Sequence, residues 1–191
     1  MSIMIINLAK GNIDADTDAD KQAYQTRWLD EVAKLERVLL PDDAWGVDEI
    51  CSSLEQFGMG LMLAVDGADT QAVKGYCIYQ IVFETAEIHR IGTHPSHARQ
   101  GVAASLITAL VDEMQHQHSD NLLLEVRADN TPAISLYQKM GFTAIDVRKG
   151  YYQTATGRCD AIIMQKQVAP SHANSMPIQN DWANCQECLV K

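Results

Sequence analysis

Cations are scarce in this chain: 15 lysines and arginines stand against 25 aspartates and glutamates, a formal net charge of −10. Nucleic-acid binding needs a basic patch to neutralise phosphates, so no direct nucleic-acid ligand is expected. Long apolar runs are missing too. Nothing approaches the ~20 successive apolar residues of a membrane-spanning helix, so no membrane partner is expected. The opening MSIMIINLA has no basic stretch before it and no small-residue cleavage signal after it. No leader peptide is read there, and the cytoplasm is the expected location. Five cysteines, an odd number, give no disulfide framework. Cys185 and Cys188 form a lone C-x-x-C with His172 as the one nearby further ligand, so free thiols rather than a metal site are expected. The pairs His94/His97 and His116/His118 lack the i, i+4 spacing of a helical metal site and read as surface residues.

What is present is an ordinary globular composition, 47% hydrophobic and 21% charged, in a length suited to one domain. Acid is concentrated early: residues 1–60 hold 12 acidic and 5 basic side chains. Such a surface attracts a basic partner, a cationic peptide or polyamine, or simply keeps the chain in solution.

Periodicity predicts a short strand over residues 2–8 and an acidic loop from Gly11 to Asp20. A helix follows from Tyr24 to Leu40, ended by Pro41, and a second from Val47 to Phe57. Strands are expected at 59–65, Val73–Phe83 and Ala86–Thr93, with Asp66-Gly67 as a turn. Residues 101–118 give the clearest helix, with Val102, Leu106, Ile107, Leu110 and Met114 in one stripe. A strand Asn121–Val126 precedes a helix capped by Asn130, opened by Pro132 and stopped by Gly141. Strands Phe142–Val147 and Ala161–Gln167 close the pattern, with a Gly-, Tyr- and Thr-rich loop between them. Residues 168–191 read as a polar, flexible tail whose removal is expected to leave the fold intact. This order implies an α/β (α+β) mixed sheet with helices on both faces.

The junction Ala98-Arg99-Gln100-Gly101-Val102-Ala103-Ala104 carries the chemistry. A glycine between a strand and a helix lets backbone approach a ligand, and the helix's unpaired N–H groups face an anion. Arg99 adds a cation. The lysine-serine ending of a P-loop and the three glycines of a dinucleotide fingerprint are absent.

Three blocks, IGTHPSHARQGVAASLITALVDE, LLLEVRADNTPAISLYQKMGF and VRKGYYQTATGRCDAIIM, resemble the GNAT superfamily of N-acetyltransferases. Within it they resemble the RimI-type ribosomal-protein-alanine N-terminal acetyltransferases. The likeness spans Glu87 to Gln167, is looser over residues 26–86, and makes 1–167 the expected domain, with 1–25 divergent. It implies a mixed, mostly antiparallel sheet and acetyl-CoA as co-substrate. It also implies a protein N-terminus as acceptor, such as the alanine of a small-subunit ribosomal protein. By resemblance, Ile91, Gly92 and Thr93 hold the thioester and pantetheine through backbone groups. Arg99, Gln100, Gly101, Val102, Ala103 and Ala104 form the pyrophosphate loop, and Asn130 contacts the pantetheine arm. Ala98 departs from the Gln or Arg usual in the family, which implies weaker CoA binding. Gln153 and Cys159 also depart, at a usual proline and a usual glutamate. Trp45, Tyr151 and Tyr152 fall where the family meets its acceptor.

The same resemblance makes Glu125 the general base and Tyr137 the general acid. An α-amine of pKa ~7.7–8.0 needs no base stronger than a carboxylate, and a phenol can return a proton to a departing thiolate. Spacing alone allows duller roles, Glu125 as an ion-pair partner of Arg127 and Tyr137 as core. Acetylation of a polyamine or lysine side chain is the second reading, and a non-catalytic CoA-binding module the third. No cysteine matches a catalytic position, so direct transfer is expected.

Overall fold

A computed structural model describes residues 3–8, 18–66, 72–154 and 157–169. Residues 11–17 of the expected loop Gly11–Asp20 lie outside them, as do the turn residue Gly67, His172, Cys185 and Cys188; Asp18–Asp20 are helical. The elements run β1 (Ile3–Asn7), α1 (Asp18–Leu39), α2 (Val47–Leu54), β2 (Met59–Asp66), β3 (Val73–Val82) and β4 (Thr85–Thr93). A 3-10 turn at Pro95–His97 follows, then α3 (Val102–His116), β5 (Asn121–Arg127), α4 (Thr131–Lys139), β6 (Thr143–Thr154) and β7 (Gly157–Gln167). One seven-stranded sheet takes the order β1-β2-β3-β4-β5-β7-β6. Every neighbouring pair is antiparallel except β4 and β5.

Helices cover both faces. Trp28, Val32, Leu35 and Ile50 of α1 and α2 pack on Leu61, Leu63, Tyr76 and Ile78. The stripe of α3 and Tyr137 of α4 pack on Met62, Ala64, Cys77, Tyr79, Leu122 and Leu124. Strand β2 is therefore buried on both sides, which is why MGLMLAV is apolar throughout rather than alternating.

Several boundaries differ from the periodicity, among them the end of α2, which comes at Leu54, three residues before Phe57. Helix α1 begins at Asp18, six residues before Tyr24. The added turns, DADKQA, are polar and carry no apolar stripe, while an aspartate at the start suits the helix dipole. Strands β6 and β7 extend to Thr154 and back from Gly157, so most of the expected loop is ladder. Tyrosine and threonine favour strands, and Gly150 at φ +58 marks a bulge inside the strand, not its end. Packing also continues past Gln167. Val168 is buried within the α3-side core, its N–H donating to Asp120 O at 2.7 Å.

A buried ion pair ties α1 to the sheet. Glu36 is fully buried and accepts from Arg90 Nη1 at 2.8 Å, from the Trp45 N–H at 3.1 Å and from the Tyr76 hydroxyl. Arg90 also donates to the Asp43 carbonyl and carboxylate at 2.8 Å and lies over the Trp45 ring at 4.4 Å. The α1–α2 loop is thereby fastened to β4.

Cutting the chain after Gln167 should lower the melting temperature relative to cutting after Ala169, by about 3–12 °C for the loss of one buried valine. Equal melting temperatures would put Val168 outside the cooperative core.

Burial pushes the Cys77 thiol from 9.0, and the Tyr79 and Tyr137 phenols from 10.0, up to about 12. The unfolded chain gives up these protons near pH 9–10 while the folded chain keeps them, so stability is full below pH 9 and lost as pH rises toward 12. Melting temperatures across pH 8–11 should show this fall, and a Cys77→Ala, Tyr79→Phe variant should show a shallower one. Parallel slopes for the two proteins would remove these groups as its cause.

Candidate active site

Strands β4 and β5 are parallel only from Thr85/Asn121 to Ile88/Leu124. One residue further on, His89 is an extra residue in β4, between the pairs Ile78↔Arg90 and Tyr79↔Ile88. Such a bulge bends its strand, and here the two strands part. Beyond it, β4 stays on β3 through Cys77↔Ile91, Tyr76↔Gly92 and Gly75↔Thr93. Strand β5 stays on β7 through Glu125↔Ile163 to Arg127↔Ala161. The sides of Ile91, Gly92 and Thr93 that turn toward β5 have lost their ladder partners. Gly92 is buried, and a Cβ there would meet Leu39 Cδ1 and Tyr76 Cε1 at 2.5 Å.

The chain leaves β4 through the 3-10 turn into the expected cradle. Arg99 (φ +60) and Gly101 (φ +85) are both left-handed, and Val102 opens α3. Val102 points into the core, Gln100 Nε2 ties back to Ser96 O at 3.0 Å, and Arg99 is exposed. No side chain caps α3, and open space lies where a Cβ of Gly101 would stand. Successive N–H groups around left-handed residues at a helix start form an anion nest. Ala98, Ala103 and Ala104 border it without a polar side chain.

Glu125 is the first β5 residue past the last β4 pair. Leu122, Leu124 and Val126 face α3 and are buried, so Glu125, which alternates with them, lies on the other face. Its Oε2 accepts from Arg148 Nη1 at 2.7 Å and its Oε1 from the Tyr152 hydroxyl at 3.1 Å. Arg127, the partner that spacing offered, is instead tied to Asp129 at 2.6 and 3.0 Å. Tyr137 sits on the α3 side, 6% exposed, its ring 5.7 Å from that of Phe142. Burial keeps its phenol protonated up to about pH 12. The two residues thus belong to opposite faces of the sheet. Asn130 caps α4, its Oδ1 accepting from the Ala133 N–H at 3.3 Å.

The three acceptor-side aromatics divide. Trp45 is held by Glu36 and Arg90 as described. Tyr151 is 55% exposed, stacked edge-on against Tyr152 at 5.1 Å and covered by the Arg148 guanidinium at 5.4 Å. Tyr152 holds Glu125, and burial together with that carboxylate raises its phenol pKa. His94 and His97 flank the cradle with rings 5.9 Å apart. Among the described residues no group of histidines, cysteines or carboxylates could hold a metal, and no helix is long and apolar enough to cross a membrane. Sequence reasoning missed Glu36, Arg90, Arg148 and Asp160. A buried glutamate inside an apolar helix stripe was a readable signal for the first; the others act across strands and left none.

The sequence model of the acetyltransferase (GNAT) family matches residues 21–142. The [ribosomal protein bS18]-alanine N-acetyltransferase of Escherichia coli K12 is 42% identical over 94 residues, 49% of this chain and 64% of that protein. The match thus spans less than two thirds of the relative's length. An N-alpha-acetyltransferase of Saccharolobus solfataricus is 28% identical over 153 residues, covering 73% of this chain and 87% of its own. The crystal structure of the E. coli ribosomal-protein-S18-alanine N-acetyltransferase superposes with a TM-score of 0.71 at 26% identity, over 91% of this chain and 98% of that one. The family model covers well over half of the sequence, and the structural likeness extends along nearly all of it: the chain belongs to the GNAT family of acetyltransferases.

Proposed function

We propose that this chain transfers the acetyl group of acetyl-CoA to the α-amine of a protein N-terminus, with an alanine-starting ribosomal protein as acceptor. The observation that carries it is the position of Glu125, a carboxylate standing on the first residue past the β4–β5 parting. The likeness to N-terminal acetyltransferases supports the choice of acceptor.

Acetyl-CoA, when bound, supplies an acetyl group activated as a thioester. The residues present fit it. The uncapped start of α3, with Arg99 and Gly101 left-handed before it, suits a pyrophosphate, and Gln100, Val102, Ala103 and Ala104 complete that turn. The backbone groups of Ile91 and Thr93 that turn away from β3 suit an amide-bearing arm, with Gly92 between them and Asn130 as a further contact. From the other face, Trp45, Tyr151 and Tyr152 flank the path of the acceptor toward Glu125.

An α-ammonium loses its proton near pH 8, so Glu125, directly or through a water, is basic enough to take it. Tyr137 retains its proton at every working pH and can donate it to the departing sulfur. The burial that makes the phenol a weaker acid also makes a thiolate a stronger base, which keeps the two matched. Direct transfer is the reading for the thioester, since no cysteine falls at a position matched to a catalytic one, and Cys77 is buried with its thiol held protonated.

Mass spectrometry of acceptors incubated with acetyl-CoA tests the reading. A panel of Ala-, Ser- and Met-starting peptides with spermidine should show transfer to the alanine peptide first. Preferred acetylation of spermidine, which the acidic composition would favour, replaces the reading with the small-amine one; no transfer at all leaves the binding module. Glu125→Gln should cost about 10²–10⁴ in turnover, and Tyr137→Phe should lower kcat with acetyl-CoA binding intact. Near-normal turnover of Glu125→Gln would make Glu125 a structural partner of Arg148.

Gly101→Val places a β-branched residue at φ +85 and fills the space above the nest. Calorimetry should find acetyl-CoA binding weakened at least tenfold in a protein that still melts cooperatively. Unchanged affinity would move the phosphate site elsewhere.

A further inference from the structure

Arg148 and Tyr152 are four residues apart on β6. In a regular strand their side chains would stand about 13 Å apart along its length. Here Arg148 pairs with Ala161 and Tyr152 with Cys159, so Lys149, Gly150 and Tyr151 together oppose Asp160 alone. The surplus is taken up in a bulge, which brings the two anchor positions to within about 7 Å and keeps both on one face. Asp160 clamps the bulge. Its Oδ1 accepts the Gly150 N–H at 2.7 Å and its Oδ2 accepts from Lys149 Nζ at 2.8 Å. Gly150 supplies the left-handed φ of +58 that this path requires.

The result is that both side chains reach across β7 to one carboxylate. Each Glu125 oxygen is engaged, Oε2 by Arg148 and Oε1 by Tyr152. The two contacts differ in kind. Tyr152 is partly buried and neutral, while Arg148 is a cation with 52% of its side chain exposed, against 19% for Glu125. A half-exposed ion pair is held weakly and exchanges readily. The oxygen that Arg148 covers is also one that a second cation would need in order to reach the carboxylate.

Resting on the acetyl-transfer reading above, we propose that Arg148 is a displaceable clasp on Glu125, holding Oε2 until the ammonium group of an acceptor N-terminus takes its place. Arg148 acts through Glu125 and is a positioning residue. The exchange admits acceptors that bring a positive charge to the same oxygen, and gives no such entry to a chain whose N-terminus is already acetylated. The bulge and its Asp160 clamp set the clasp's reach.

The test compares wild type, Arg148→Gln and Arg148→Lys with an alanine-starting peptide and with its N-acetylated form. Calorimetry in the presence of CoA reads peptide binding without turnover, and steady-state kinetics read KM and kcat separately. Removing the competing guanidinium should tighten binding of the free-amine peptide and lower its KM by roughly two- to tenfold, with kcat within about twofold. Arg148→Lys should restore wild-type values, and the acetylated peptide should bind all three proteins alike. An unchanged or raised KM and Kd in Arg148→Gln overturns the clasp, as does an equal gain for the acetylated peptide. Failure of the acetyl-transfer reading looks different: wild type then acetylates no peptide N-terminus, whatever the calorimetry shows.

Discussion

The parting of β4 from β5 is the constraint around which the rest of the structure is arranged. Two parallel strands that lose their ladder expose backbone polar groups, which is costly unless each strand has a second neighbour. Here β3 holds the outgoing β4 and β7 holds the outgoing β5. The seven-strand order, with β7 inserted between β5 and β6, is thus what lets the sheet open in its middle without fraying. The bulge at His89 initiates the bend, and the helix that begins at Val102 starts from the end of the bent strand. Glu125 owes its position to the same event, one residue past the last parallel pair.

Opening a sheet on one side demands that the other layers be fixed firmly, and the α1 face is fixed by charge as well as by packing. Glu36 has no solvent contact, so its oxygens take their hydrogen bonds from Arg90, Trp45 and Tyr76 in place of water. Removing one member of such a set costs about 3–5 kcal/mol because the other is left unpaired in a dry site. The gain is positional. One guanidinium next to Ile91 anchors α1, the Asp43 carbonyl and the Trp45 ring at once. The loop between α1 and α2 therefore keeps its place against β4.

The sequence carried the local parts of this arrangement well. The α3 stripe, the Asn130 cap with Pro132 and the glycine just before α3 are all short-range patterns, and each appears in the structure. The long β6 was not readable, because a bulge at Gly150 looks like a turn when only one strand is in view. Arg148 was hidden for a related reason. It meets Glu125 across an intervening strand, so neither helical nor strand spacing links the two numbers, and Arg127 at i+2 looked the better partner. Glu36, a charge among the apolar positions of α1, was legible as an irregularity, but its partners Arg90 and Tyr76 lie on strands β4 and β3 and were not.

The two register slips in β6, at Ile145 and at residues 149–151, have a consequence outside the site. Strand β6 is twelve residues long and forms the outer edge of the sheet, with Ile145, Val147 and Tyr151 exposed. A straight edge of that length and character is a template on which another chain can add as a strand. Broken twice, it offers only short stretches of regular backbone, each out of phase with the next. The irregularity that gathers Arg148 and Tyr152 on one carboxylate also guards the molecule against self-association along its border. Deleting the surplus residues to straighten the strand would therefore both scatter the Glu125 partners and create an adhesive edge.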